Sequence, residues 1–305
     1  MDMDLPKNDF KFSTPDISSL SKLCYGLRDL LKIVRFYITK NGIKVSESAG
    51  QNQLFLFAEF KAELFETFSC SGDLYVSFHP EILYKVLSSH SQRDVVEFSF
   101  NHKKPRFIEI TIYCNGEKNQ IKSYKVPQLL TTTEILESPR EEVDYLLAFD
   151  SQEICNIIEC LSGSSIDSQN KILEIECSKK QIQFKVDSGV LISDSKITMI
   201  TEKDETFDRS EKKRIRRSKK HDNLSTINTD REILGTTKIV KQRYKIHFLN
   251  QLTKCFQIDS NILLYIKEGF PIIFEVNIGS IGKFRCALLF LDEIEEEESN
   301  ESENE

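Results

Sequence analysis

The sequence lacks the short motifs by which enzymes hold nucleotides or activate water. It has no G-x-x-x-x-G-K-[ST], no G-x-G-x-x-G, no G-x-S-x-G and no H-E-x-x-H. A glycine cradle for phosphates, a nucleophile elbow and a helical zinc pair are therefore not expected. Histidine is scarce, with five residues scattered at 79, 90, 102, 221 and 247. The eight cysteines stand singly at 24, 70, 114, 155, 160, 177, 255 and 286, and none forms a C-x-x-C. This spacing reads as buried, reduced thiols in an intracellular protein, not as a zinc site or a disulfide framework. Long apolar runs are also missing. The opening "MDMDLPKNDF" has no apolar core of a signal peptide, and no run approaches the ~20 residues of a membrane span. No metal, no cofactor and no membrane partner are expected. A binding or scaffolding protein is favoured over an enzyme, and a catalytic set assembled from distant residues is the different-class alternative.

Positive charge is outnumbered overall but dense at one place. The formal net charge is −7, yet "KKRIRRSKKH" packs seven cations into ten residues: Lys212, Lys213, Arg214, Arg216, Arg217, Lys219 and Lys220. The segment from Asp292 to Glu305 holds nine carboxylates and no Lys or Arg. A block of that kind reads as a solvated acidic tail, about 293–305. The remainder is mildly acidic, so overall charge does not point to nucleic acid.

What is present is periodicity. In "SLSKLCYGLRDLLKIVRF", 19–36, Leu20, Leu23, Leu27, Leu30, Leu31 and Val34 form one helical stripe. Strand-like runs follow: "YITKNGIKVSES" around an Asn41-Gly42 turn, "QLFLFAEF", "ETFSCS" and "LYVSF". A helix "PEILYKVLSSH" starts at Pro80, and "DVVEFSF", "RFIEITIY" and "NQIKSYKV" read as strands. The second half repeats the order. Strand "YLLAF" leads into helix "SQEICNIIECL", with Ser151 as candidate N-cap. Strands "KILEIEC", "QIQFKV", "SKITMIT" and "KQRYKI" follow, then helix "HFLNQLTKCF" and strands "NILLYIK", "PIIFEVNI" and "GKFRCALLFL". Both "YVSFHPEILYKVL…" and "YKIHFLNQLTKCF…" read strand, His, helix, strand, Pro, strand. His79 to Pro105 spans 26 positions, and His247 to Pro271 spans 24. The expectation is an α+β fold made of two copies of one unit, 12–126 and 144–292, joined by an extended connector over 127–143. Residues 203–237 are polar, charged and without apolar periodicity, and read as an inserted, disordered loop.

The first helix has a cationic polar face. Ser21, Tyr25, Arg28, Lys32 and Arg35 fall opposite the leucines, with Lys22 at the margin. Lys85 and Lys254 on two other helices extend it if duplication sets the helices side by side, whereas the third helix shows Gln152, Asn156 and Glu159 instead.

"YKIHFLNQLTKCFQIDSNILLYIKEGFPIIFEVNIGSIGKFRCALLFLDE" resembles the last part of the proliferating cell nuclear antigen (PCNA) family, the eukaryotic-type DNA sliding clamps. The F-L-N-x-x-T-K helix, the P-[IL]-[IV]-x-E strand, the G-x-[IL] turn and the acidic tail carry the resemblance. The N-terminal half agrees more loosely, through its leucine-rich helix, "NGIKVSES" and "LYVSFHPEILYKVL". A divergent member, such as one from a large DNA virus of eukaryotes, has this pattern.

The resemblance implies the clamp fold: helices lining a central hole, sheets outside, and three copies closing a ring. Lys22, Arg28, Lys32, Lys85, His247 and Lys254 would face double-stranded DNA, without sequence readout. Leu136, Pro139, Val143, Pro271, Ala287, Leu289 and Phe290 would take a partner peptide, such as that of a DNA polymerase. Subunits would meet through "QIKSYKV" with Tyr124 and "SKITMI" with Ile197. An ATP-dependent clamp loader is implied as a further partner, and the nucleus or a viral replication site as the location. A heterotrimeric checkpoint clamp or a transcription-associated clamp is the same-fold alternative. The basic block is read three ways: nuclear import signal, auxiliary DNA contact or solvated loop.

Overall fold

The computed structural model describes residues 9–101, 106–114, 120–129, 136, 138, 143–163, 171–187, 192–198, 234–235 and 238–291. The chain groups into two compact units. One holds Met1–Pro139, Gln251–Ile262 and Glu275–Ala287; the other holds Arg140–Asn250, Leu263–Phe274 and Leu288–Glu305. The basic block lies outside the described residues, as do the expected acidic tail and nearly all of the expected insert.

The first unit starts with β1 (Phe10–Thr14), a strand absent from the sequence reading. Its Phe12 ring stacks 4.8 Å from Phe98 and sits 4.9 Å from Phe65. Helix α1 (Ile17–Leu27) is capped by Asp16, whose Oδ1 accepts the Ser19 N–H. The other oxygen, Oδ2, accepts the N–H of Ser280, just after Gly279, which is at φ +51°. A Cβ at Gly279 would overlap this carboxylate, so the tight turn there requires glycine.

The helix expected over 19–36 ends at Leu27. By Val34 the chain is a strand, β2 (Val34–Thr39), with alternating burial. The β-branched and aromatic run Ile33-Val34-Arg35-Phe36-Tyr37-Ile38 prefers a pleated surface, and cross-strand packing outweighs the leucine periodicity. Arg35 is therefore not on the helix face. Its guanidinium forms a forked pair with Glu47, which is buried on β3 (Gly42–Ala49). The Asn41-Gly42 hairpin between β2 and β3 is as expected.

β4 (Leu54–Lys61), β5 (Thr67–Cys70), β6 (Leu74–Phe78), α2 (Pro80–Ser88), β7 (Val95–Phe100), β8 (Phe107–Tyr113) and β9 (Ile121–Pro127) complete the N-terminal part. One antiparallel sheet runs β5-β1-β7-β8-β9, with β9 at its edge. A second run is β18-β4-β3-β2-β6, where β18 is Gly282–Leu288.

The second unit contains β10 (Tyr145–Asp150) and α3 (Ser151–Ser162). The cap of α3 is Asp150, one residue earlier than expected; its Oδ1 accepts the Glu153 N–H at 3.1 Å. Ser151 is buried inside the helix. β11 (Ile172–Cys177), β12 (Gln181–Asp187), β13 (Ile192–Thr198) and β15 (Val240–Lys245) form an antiparallel sheet in the order β13-β12-β11-β15, with β13 at one edge. β14 (Leu234–Gly235) pairs with β10. Helix α4 (Ile246–Phe256), β16 (Asn261–Ile266) and β17 (Ile272–Ile278) close the order. The two halves thus share strand–helix–strand–strand: β6-α2-β7-β8 and β15-α4-β16-β17. His79 immediately precedes α2, whereas His247 lies inside α4.

Candidate nucleic-acid and partner interface

In the first unit α1 and α2 pack side by side, and α1 also meets the C-terminal part of α4. The latter contact is very close. A Cβ at Gly26 would lie 2.4 Å from Cys255 Sγ and 3.0 Å from its backbone nitrogen. Burial pushes the thiols of Cys24 and Cys255 up to about 12, so neither is a nucleophile at neutral pH.

This approach brings the expected cations together, but not as free charges. Arg28 caps α1, and its guanidinium lies 4.4 Å from the Tyr25 ring centre and 4.8 Å from that of Tyr84. The two rings are 5.2 Å apart. Arg28 Nε is 3.5 Å from Asp29 Oδ1, and Lys254 Nζ pairs with Asp29 Oδ2. Lys85 pairs with Glu81 one turn earlier at 2.8 Å. That hydrogen bond and charge hold the Glu81 carboxyl below its usual range. Lys22 and Lys32 are exposed, with no carboxylate within 4.0 Å among the described residues. A groove of about 360 Å³ between α1 and α2 is lined by Ser21, Lys22, Tyr25, Tyr84, Ser88 and His90. His247 lies in the second unit, half-buried, with its ring 3.9 Å from that of Phe248. Also in that unit, Gln152, Asn156 and Glu159 are exposed on α3, and Gln152 donates to Asn156.

The connector residue Leu136 is held from β3. Ser46 Oγ donates to its carbonyl at 2.9 Å and accepts its N–H at 3.0 Å. The backbone is pinned while the side chain stays 41% exposed. Of the other expected pocket residues, Ala287 is buried. In the second unit, Val143, Pro271 and Phe290 are half-buried and Leu289 is exposed. Pro139 lies outside the described residues. Phe270, outside the expected pocket set, is exposed beside Pro271. Gln242 fixes its carbonyl at 3.1 Å, and Lys267 sits 4.1 Å over its ring. The available signal was the Gly269-Phe270-Pro271 turn, with Gly269 at φ +70°.

Both expected subunit-contact segments are edge strands. β9 exposes residues on both faces, Ile121 among them at 52%. Tyr124 is half-buried, with its hydroxyl 3.3 Å from His90 Nε2, and His90 Nδ1 donates to the Val86 carbonyl. The side chain of Ile197 on β13 is fully buried, so this residue offers its backbone and not its side chain. Among the described residues, no three His, Cys, Asp or Glu side chains gather as a metal site, and no helix is long and apolar enough to cross a membrane.

No family model matches the chain. Curated relatives do, and two of them serve for comparison. One is the "Probable DNA polymerase sliding clamp 1" of Paramecium bursaria Chlorella virus 1, 21% identical over 263 residues, 86% of this chain and 89% of the relative. The other is "Proliferating cell nuclear antigen 2" of Drosophila melanogaster, 20% identical over 269 residues, 88% of this chain and 92% of the relative. Among solved structures, the proliferating cellular nuclear antigen of Entamoeba histolytica superposes with a TM-score of 0.74 at 12% identity, over 93% of this chain and 100% of that one. The chain is PCNA-like, with the sliding-clamp fold. The cationic face does not extend to α3, where Gln152, Asn156 and Glu159 are exposed, and on the first unit Asp29 lies against two of the expected DNA-facing cations, Arg28 and Lys254.

Proposed function

We propose that this protein is a DNA sliding clamp, a processivity factor that encircles duplex DNA and tethers a DNA polymerase and other replication and repair proteins. The observation that carries the reading is coverage. Two relatives named as a sliding clamp and a PCNA, and one PCNA structure, each align with 86% or more of the chain. Three copies would close a homotrimeric ring by adding β9 of one copy to β13 of the next. Two sheet edges, one in each unit, suit that closure, which removes a liability of open sheets. The chain reads as two clamp domains, 12–126 and 144–292, joined by a connector over 127–143. Partner peptides would dock at the connector, around Leu136, Pro139 and Val143, with Pro271, Leu289 and Phe290. The reading assigns the chain no chemistry of its own, so ring opening falls to a separate ATP-driven loader. Its place of work is the nucleus or a viral replication site, and the insert at 203–237 is an accessory.

Retention by a ring is topological, and the helices need only cushion phosphates. The test uses protein loaded on a nicked circular plasmid. Linearising the plasmid should release it. Raising salt from about 50 to 200 mM on the closed circle should release far less than the roughly 10³–10⁵-fold lost by an open binder making 6–10 phosphate contacts. Equal retention on circular and linear DNA would refute encirclement.

A further inference from the structure

We infer that Asp29 is a built-in attenuator of the DNA-facing wall, holding Arg28 and Lys254 out of play until a phosphate displaces it. The inference rests on the clamp reading and assigns a role to a residue that the cationic pattern left out. Asp29 follows the C-cap of α1, and its side chain is 40% exposed, so solvent and ligand can reach it. One oxygen faces Arg28 and the other pairs with Lys254. That second contact is possible because Gly26, three residues earlier, lets α1 close onto Cys255, the neighbour of Lys254. The aromatic pair adds to the hold. Arg28 is stacked by Tyr25 and Tyr84, and Lys254 Nζ lies 5.3 Å from the Tyr25 ring centre. Cations held over aromatic faces and beside a carboxylate gain less from a phosphate than free ones, because a contact is lost for each one made. Lys22 and Lys32, exposed and without a carboxylate partner, then make the first contacts. The result is a wall of graded grip: two ready cations, and two released only when a phosphate competes for them. Weak resting grip favours sliding in a ring that topology already retains.

A cycle of variants tests this, with a short fluorescent DNA duplex as probe and anisotropy at low salt as readout. Binding to so short a duplex reads the charge of the wall and needs no encirclement, so its outcome is independent of the plasmid test. In the parent protein K254Q should change affinity less than about twofold. In the D29N background it should cost about fivefold or more, and D29N alone should steepen the salt slope by about one per cation released. D29A is the second variant at this exposed position. E59Q, an exposed carboxylate removed from β4, controls for net charge and should leave the slope unchanged. If K254Q costs the same with and without Asp29, or if E59Q steepens the slope as D29N does, Asp29 is not an attenuator and the inference fails.

Discussion

Glu275 shows how much one side chain carries in this fold. It is only 2% exposed on β17, yet Lys283 and Arg285 from β18 both reach its carboxylate. Burial alone would raise its pKa, but the hydrogen bonds from Lys283 and Arg285, with their charges, outweigh that and hold it below the usual 4.5. A carboxylate depressed in the folded state adds stability that is fully present above its unfolded value and lost as pH falls through the folded one. Glu275→Gln should therefore cost about 1–3 kcal/mol at neutral pH, measured by denaturant unfolding, because two cations lose their counter-charge. The gap between variant and parent should close below about pH 4.5. A gap that stays constant through acid would assign the cost to packing. Arg35 with Glu47 repeats the device on β2 and β3. In both places a cation and a carboxylate that look like surface charge in the sequence are joined across neighbouring strands.

At the scale of elements, the contact of α1 with α4 is a demanding one. Gly26 faces the backbone of Cys255, so an added methyl group cannot be absorbed by a side-chain rotation alone. Gly26→Ala gains helix propensity of about 1 kcal/mol, yet should still lower stability by about 1–3 kcal/mol through overpacking. A thermal melt reads the net loss, and adding Cys255→Ala should recover part of it by removing Sγ. Full stability in the single variant would mean the helices can separate freely. Helix α1 is shorter than its leucine stripe. Leu30, Leu31 and Val34 continue the helical stripe, but the helix stops at Leu27, and Leu31 is buried from the turn after it. Periodicity reports which residues are buried more reliably than which element buries them.

For the whole molecule, encirclement would separate retention from charge. Deleting residues 205–236, which include the basic block and the two-residue strand β14, should leave the number of subunits in the oligomer unchanged. Release on linearisation should also persist. Light scattering and the plasmid assay read the two outcomes. Loss of DNA association on deletion, with circular and linear DNA behaving alike, would make the block the DNA site. The clamp fold accommodates an acidic chain because encirclement asks little of electrostatics, and the pairing of Arg28, Lys85 and Lys254 with Asp29 and Glu81 fits that low demand.

Much of this was written locally. Strand alternation, the Asn41-Gly42 turn, Pro80 at the head of α2 and the repeated strand–helix–strand–strand order depend on neighbours a few residues apart, and short-range patterns carry them. The cations on α1, α2 and α4 were legible for the same reason. The partner of Lys254 was not. Asp29 meets Lys254 across 225 residues, and Ser46 meets the backbone of Leu136 across 90. β1 went unread because five residues with two phenylalanines form a strand only when β5 and β7 flank them. Composition and periodicity decided which residues are apolar, which are charged and where elements recur. Only the tertiary structure decided which charges far apart in the sequence cancel, because Coulomb attraction depends on distance in space and not on separation along the chain.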